Sequence, residues 1–305
     1  MPELPEVTAL ASFLDEHLAG AEVTKLQIGA FFALKTAEPP YTALTGRIVD
    51  SVWCRGKFVV ISTVPDRQED GPEDSRSNGN ERLHLMFHLA KAGWVHYYDE
   101  LPQTKLKSGK VLIDARVGFR KDGRELGFDL TEAGTWKRLA IYVVRSPEDV
   151  PAVAELGPEP LDSAFDLETF SKLLTHRQQI KGVLRNQKMI AGIGNAYSDE
   201  ILHVAKLSPF ALASSLEPEE VERLYAALRA TLMDAIREAS GKPPSELKDS
   251  KRSSMRVHGR TGEACPVCGD TVQEVSFSDS SLQYCPTCQT GGKLLADRRT
   301  SKFLK

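Results

Sequence analysis

Four cysteines stand in two pairs near the end of the chain, Cys265-x2-Cys268 and Cys285-x2-Cys288, with sixteen residues between the pairs. Two such knuckles can present four thiolates to one Zn²⁺ as a tetrahedron. Four cysteines close the coordination shell and leave no position for water, so the expected metal is structural, one ion per chain. Two disulfides are the alternative, a poor one in a chain with no other mark of secretion. Around the pairs lie Lys251, Arg252, Arg256 and Arg260, then Arg298, Arg299 and Lys302, the distribution expected where phosphates are met. A merely solvated basic surface is the plainer reading. The fifth cysteine, Cys54, sits alone in an apolar stretch and reads as a buried structural residue.

The opposite end of the chain carries Met1-Pro2-Glu3. Removal of the initiator methionine would leave Pro2 as a secondary amine titrating near ~8, with a useful neutral and nucleophilic fraction at cellular pH. Glu3 beside it could give or take a proton. A proline near a chain start otherwise only stiffens it. A third group is Arg185 to Glu200, where Gly192 and Gly194 allow the backbone to approach something closely and Asn195 opens a helix whose free amides attract an anion such as phosphate. An ordinary inter-helix turn with an Asn cap stands as the equal alternative.

The elements that must hold these groups change character along the chain. Val7, Leu10, Phe13, Leu14 and Leu18 have the 3.6-residue spacing of one amphipathic helix. Residues 48–64, 83–89, 94–98, 111–117 and 139–144 are short, rich in Val, Ile and aromatics, and bounded by Gly and polar turns, which predicts strands. Leu83, Leu85, Phe87 and Leu89 alternate most clearly, with His84 and His88 on the opposite face. Pro147 to Pro160 holds four prolines and a glycine and predicts an irregular linker. Helical spacing follows in 167–174, 180–185, 195–204 and 221–236, and Gly241 to Pro244 should end the helices before the basic tail. The expected class is α+β: an N-terminal β-sandwich carrying a helix over 1–145, a linker over 146–160, a helical domain over 161–247, and a basic segment with the cysteine finger over 248–305.

A chain of 305 residues with 41% hydrophobic and 27% charged residues has the composition of a globular protein with a substantial core. It has no run of the ~18 to 20 apolar residues that a membrane span requires. The acidic start lacks the basic and apolar regions of a signal peptide, so a cytoplasmic, nucleoid-associated location and no membrane partner are expected. Net charge is −3, unevenly placed: residues 248–305 carry ten Lys/Arg against six Asp/Glu, a net +4, which leaves −7 for residues 1–247. Asp66 to Arg82 contributes six acidic and three basic residues with almost no apolar side chain, the composition of a disordered loop.

Pro2-Glu3-Leu4-Pro5-Glu6-Val7, Arg55-Gly56-Lys57, Leu156-Gly157-Pro158-Glu159-Pro160-Leu161, Gly192 to Tyr197 and the four-cysteine finger follow one another in this order. In that order, from residue 2 to about 290, the chain resembles the bacterial formamidopyrimidine-DNA glycosylase and endonuclease VIII family, its start being closer to the formamidopyrimidine branch. The resemblance implies a helix-two-turn-helix within the helical domain and a bifunctional glycosylase and abasic-site lyase of base excision repair, acting on damaged DNA as a monomer. It implies that the Pro2 nitrogen attacks C1′ of the damaged nucleotide, expels the base and forms a Schiff base, with elimination then cutting the strand. Glu3 would act as acid and base around the sugar, Lys57 would contact a phosphate and assist, and Asn195 would bind the phosphate backbone near the lesion. Lys251, Arg252 and Arg260 are the further expected DNA contacts.

Departures from the family pattern bear on the substrate. Relatives that work on duplex DNA fill the space of the flipped base with a Met after a His-Leu-Gly run and with an Arg and a Phe from an Asp-Pro-Arg-Arg-Phe-Gly loop. His88-Leu89-Ala90-Lys91 puts Lys at the Met position, and Asp129-Leu130-Thr131-Glu132-Ala133-Gly134 stands where the loop should be. Ser280 replaces an Arg expected five residues before the third cysteine, and 238–255 reads short for a loop that closes over an oxidised purine in some relatives. The intact Pro2, Glu3 and Lys57 favour a working enzyme, for which single-stranded or otherwise opened DNA costs less unstacking. A damage-binding or regulatory protein with little base removal is the other reading. Trp94 is the nearest substitute for the missing side chains.

Overall fold

A computed structural model describes residues 1–66, 82–104, 106, 113–278 and 280–297. Most of the acidic segment Asp66 to Arg82, together with Arg298, Arg299 and Lys302, lies outside the described residues. The chain forms two compact units, one made of 1–2, 6–155 and 240–248, the other of 3–5, 156–239 and 249–305.

The first unit holds helix α1 (Leu4–Leu18) from Glu6 onward, and its Leu10, Leu14 and Leu18 are wholly buried. Each such burial is worth about 1.5–3 kcal/mol. Asp15 on its outer turn accepts the Val52 N–H at 2.6 Å and ties the helix to a strand. Eight antiparallel strands follow: β1 (Glu22–Ile28), β2 (Arg47–Arg55), β3 (Phe58–Pro65), β4 (Leu83–His88), β5 (Gly93–Tyr98), β6 (Ile113–Lys121), β7 (Arg124–Glu132) and β8 (Ala140–Val144). They form one ladder in the order β5-β7-β6-β1-β2-β3-β4-β8.

That ladder folds over on itself. β1 and β2 share a single register pair, Glu22 with Ile48, and both strands carry register shifts there, between Val23 and Lys25 and between Val49 and Ser51. Such bulges bend a sheet. In consequence Phe87 on β4 meets Phe128 on β7 at 5.8 Å between ring centroids, although four strands separate β4 from β7 in the ladder. The result is the sandwich that the sequence predicts, closed by a core with Phe87, Phe119 and Phe128 at its centre. Asp129 is buried within β7 because Arg116 on β6 meets it with two parallel bonds of 2.7 and 2.8 Å, the arrangement that makes a buried carboxylate tolerable.

Sequence and structure differ at several elements. The segment 48–64 is two strands, not one, because Gly56 turns the chain at φ +55°. β1 and β7 are additional strands. His84, on the face opposite Leu83 and Leu85, is buried too, with Nδ1 3.0 Å from Ser62 Oγ. The proline-rich stretch contains a 3-10 turn, Pro147–Asp149, and a short helix α2 (Pro151–Ala154), since proline is tolerated in the first turn of a helix.

The second unit holds α3 (Leu167–Leu173), α4 (Ile180–Arg185), α5 (Asn195–Val204) and α6 (Pro218–Ala239). The chain then runs through α7 (Pro244–Ser254), the hairpin β9 (Gln273–Ser276) and β10 (Ser281–Tyr284), and α8 (Pro286–Thr290). α7 corrects the expected stop at Gly241 to Pro244, because Pro244 is the first residue of the new helix. α5 is central: every residue from Ala196 to His203 is buried. Its two buried carboxylates, Asp199 and Glu200, are therefore partnered. Glu200 accepts three backbone N–H groups, from Arg256, Val257 and His258, at 2.7–3.0 Å, and so fixes the strand of chain that enters the finger.

Candidate active site and metal centre

Glycine makes the first part of the site possible. Leu4 N–H donates to the Gly192 carbonyl at 3.0 Å, which brings residues 3–5 against the turn before α5. Glu3 then enters the N-terminus of α5, where the Gly194 N–H reaches Oε2 at 2.5 Å, the Ala196 N–H reaches Oε1 at 3.0 Å and the Tyr197 N–H reaches Oε2 at 3.3 Å. A Cβ on Gly194 would lie 2.4 Å from Glu3 Cδ, and one on Gly192 would lie 2.7 Å from Leu4 Cβ. Glycine is required at both positions by this approach, and Gly192 also has φ +83°. The sequence correctly marks these glycines as a place of close approach and an anion at the helix start. The anion held by these amides in the structure is the protein's own Glu3.

Lys251, expected as a phosphate contact, instead has Nζ 3.7 Å from Glu3 Oε1 and 4.6 Å from the centre of the Tyr197 ring. The stretch 238–255 that should hold a short loop includes α7, and Lys251 lies in its last turn. Lys181 on α4 is buried, donating to Asp199 Oδ1 at 2.5 Å and to Ser198 Oγ at 2.9 Å, and burial lowers its pKa. Asp199 also faces His258 Nδ1 at 2.8 Å. The sequence reading missed this Lys181–Asp199–His258 group. The consecutive polar residues Ser198-Asp199-Glu200 inside an otherwise apolar helix were the available signal.

Asn195 is the first residue of α5, and its Nδ2 donates to the Ser281 carbonyl at 2.7 Å, linking α5 to the finger hairpin. Its Oδ1 is buried and accepts no hydrogen bond from the described residues. Arg252 pairs with Asp249 at 3.3 Å and Arg260 with Glu263 at 3.2 Å, both at the surface, where such pairs are weak and easily exchanged.

In the first unit Pro2 is buried, and Lys57 is a buried residue of the turn between β2 and β3. His88 has its pKa lowered to about 4, mainly by burial and then by the charge of Lys57. Lys91 is exposed beyond β4. Trp94 is not available as a substitute wedge: it is 5% exposed, its Nε1 donates to the Pro244 carbonyl at 3.0 Å, and Lys248 Nζ lies over its ring at 4.5 Å. Glu132 turns inward and accepts the N–H groups of Arg138 and Leu139 at 2.7 and 2.9 Å. Cys54 is half-buried, with Sγ 3.5 Å from Thr8 Oγ1.

The metal centre is assembled in the second unit. Cys265, Cys268, Cys285 and Cys288 bring their sulfurs within 4.8 Å of one another, with 3.9 Å between Cys265 and Cys288 and 3.3 Å between Cys268 and Cys285. Zn–S bonds of ~2.3 Å in a tetrahedron call for edges of about 3.8 Å, so the four thiols fit zinc. The buried His203 of α5 has Nε2 3.3 Å from Cys265 Sγ, and Gln289 Nε2 donates to the Leu207 carbonyl at 2.9 Å. Phe210 packs against Val275, Leu282 and Tyr284. Finger and helices thus share one polar and apolar seam.

Comparison with known proteins agrees with this architecture. Residues 1–136 match the formamidopyrimidine-DNA glycosylase N-terminal domain, residues 156–244 the formamidopyrimidine-DNA glycosylase H2TH domain, and residues 262–291 the zinc finger found in FPG and IleRS. A formamidopyrimidine-DNA glycosylase of Thermus thermophilus is 31% identical over 303 residues, covering 96% of this chain and all of that protein. An uncharacterized formamidopyrimidine-DNA glycosylase-like protein of Mycobacterium tuberculosis is 56% identical over 155 residues, which is 51% of this chain and 98% of that one. The solved complex between the Lactococcus lactis Fpg and an abasic site containing DNA superposes with a TM-score of 0.74 at 23% identity, over 94% of this chain and 99% of that one. A β-sandwich joined to a two-turn helical domain and a four-cysteine finger is the architecture of a DNA-repair glycosylase. The chain belongs to the formamidopyrimidine-DNA glycosylase family, whose members are DNA glycosylases with abasic-site lyase activity. Among the described residues no helix is long and apolar enough to cross a membrane.

Proposed function

We propose that the chain removes oxidised bases from DNA and then cleaves the resulting abasic site, through a Schiff base on Pro2, and that it acts most readily on single-stranded or opened DNA. The observation that carries this reading is the seat of Glu3. Three amides of the α5 N-terminus orient its carboxylate immediately after the proline, a buried arrangement with no evident use in a protein that only binds.

With Met1 removed, the Pro2 nitrogen uses its lone pair to form a bond to C1′ while the bond from C1′ to the base breaks and the base leaves with a proton. Opening of the sugar ring then gives an iminium between Pro2 and C1′. Loss of a C2′ proton and departure of the 3′ phosphate cleave the strand, and water releases the protein. In this scheme Glu3 moves protons at the sugar, and Lys57 meets a phosphate. Asn195, Lys251, Arg252 and Arg260 contribute to the backbone contacts, Lys251 by exchanging its ion pair with Glu3 for a phosphate. Zinc, when bound to Cys265, Cys268, Cys285 and Cys288, supplies the cross-link that shapes the finger. The protein works as a monomer on damaged DNA in the cytoplasm.

Borohydride reduction in the presence of an oligonucleotide with an abasic site tests the reading. A covalent protein–DNA adduct is expected, formed through Pro2, and partly retained in Pro2→Gly, which keeps an amine. A wild-type protein that starts at Pro2, binds this DNA and yields no adduct would overturn it. The preference is read by single-turnover excision from single-stranded, bubble and duplex DNA, and faster excision from fully paired duplex would refute that part.

A further inference from the structure

Trp136 is 83% exposed, more than any other large apolar side chain among the described residues. It stands on the turn between β7 and β8, and that turn is held rigidly from within. The Glu132 carboxylate accepts the Arg138 and Leu139 N–H groups, and Lys137 Nζ donates to the Glu132 carbonyl. An indole held out in water on a braced turn has no folding reason to be there, since burying it would be worth far more than displaying it.

A second pair of exposed rings lies on the segment that bridges to β8. Phe31 is 68% and Phe32 48% exposed. The chain just after them bonds to β8 in parallel: Leu34 bridges Ile141, the Ile141 N–H donates to the Ala33 carbonyl, and the Lys35 N–H donates to the Ile141 carbonyl, each at 2.8 Å. Because the two stretches run in the same direction, the residues preceding Leu34 and those preceding Ile141 both lie at the N-terminal end of this strand. Phe31 and Phe32 thus precede the bridge on one segment as Trp136 precedes it on the other. Lys35 and Arg138 are exposed on the same two segments.

We propose that Trp136, with Phe31 and Phe32, is a stacking platform for unpaired nucleobases, and that Lys35 and Arg138 track the phosphates between them. Flat rings alternating with cations suit a flexible single strand, whose bases all present a π-face, whereas in a duplex those faces are already stacked. This rests on the reading of the protein as one that acts on opened DNA, and it assigns the selectivity to residues of the sandwich edge.

Tryptophan fluorescence separates the platform from the chemistry. In the full-length protein, a short thymidine oligonucleotide should quench the emission, and Trp136→Phe should remove most of that quenching while keeping a stacking ring and most of the affinity. Trp136→Ala should weaken the single strand about tenfold or more, as loss of one base–aromatic stack does, and change duplex affinity less than twofold. Its borohydride trapping on a saturating abasic oligonucleotide should be undiminished. Unchanged single-strand affinity in Trp136→Ala, or equal losses for single strand and duplex, would overturn the proposal. So would a wild-type dimer that Trp136→Ala converts to monomer, since the rings would then cover a second copy of the chain. Intact quenching without any trapped wild-type adduct would instead remove the glycosylase reading and leave the platform standing.

Discussion

Glu3 accepts three backbone N–H groups, and that number determines what substitutions there will do. Glu3→Gln turns one acceptor into an NH2 that faces donors, so it disturbs the seat as well as the proposed proton transfer. Excision should fall by about 10² to 10⁴-fold, the usual contribution of a positioned acid or base, while DNA binding persists. Gly194→Ala tests the seat without touching the carboxylate. Its Cβ would displace Glu3, so excision should fall with a lowered melting temperature, and an alanine variant that excises at the wild-type rate would show that the close approach is dispensable. Pro2, Glu3 and the two glycines were all visible in the sequence. Their connection was not, because nothing in local spacing reveals that residue 3 meets residues 194–197, and so the anion expected at the helix start was given to a phosphate.

At the scale of elements, the cysteine finger is joined to α5 and the turn after it by three polar contacts, from Asn195 to Ser281, His203 to Cys265 and Gln289 to Leu207. Removing zinc should therefore unsettle Asn195 as well as the finger. Chelation is expected to lower the melting temperature and the DNA affinity together, and readdition of zinc to restore both. His203→Phe removes the contact to Cys265, so zinc should pass to a chromogenic chelator faster than from wild type; identical release would mean the histidine only packs. Long periodic elements were legible: α4 and α5 have the expected bounds. α7 was not, because Pro243-Pro244 reads as a stop although proline also begins helices. β7 was hidden by Gly127 and Asp129, whose place in a strand depends on Arg116 thirteen residues earlier.

For the whole molecule, a net charge of −3 conceals a basic C-terminal segment, and DNA affinity should fall steeply as salt rises because each phosphate contact releases counterions. Binding that ignores salt would contradict an electrostatic interface. Acid should destabilise the fold through its buried histidines. His88 is lowered to about 4 against 6.5 for a free side chain, and His84 is lowered too, both mainly by burial. The unfolded chain therefore takes up protons that the folded one refuses. The stability from His88 is complete above pH 6.5 and is lost as pH falls from there to about 4. His88→Phe, which can still pack on Phe58, should flatten that part of the curve, measured as melting temperature against pH. The seat of Glu3 has one more consequence, for the life of the protein during synthesis. On the proposed mechanism Pro2 and Glu3 are translated long before the amides that hold Glu3, which belong to residues 194–197. A nascent chain or a proteolytic fragment ending before residue 192 would carry the proposed amine without the oriented Glu3 beside it. Strand cutting by the proposed route would thus be withheld from DNA until almost two thirds of the sequence has been made and folded.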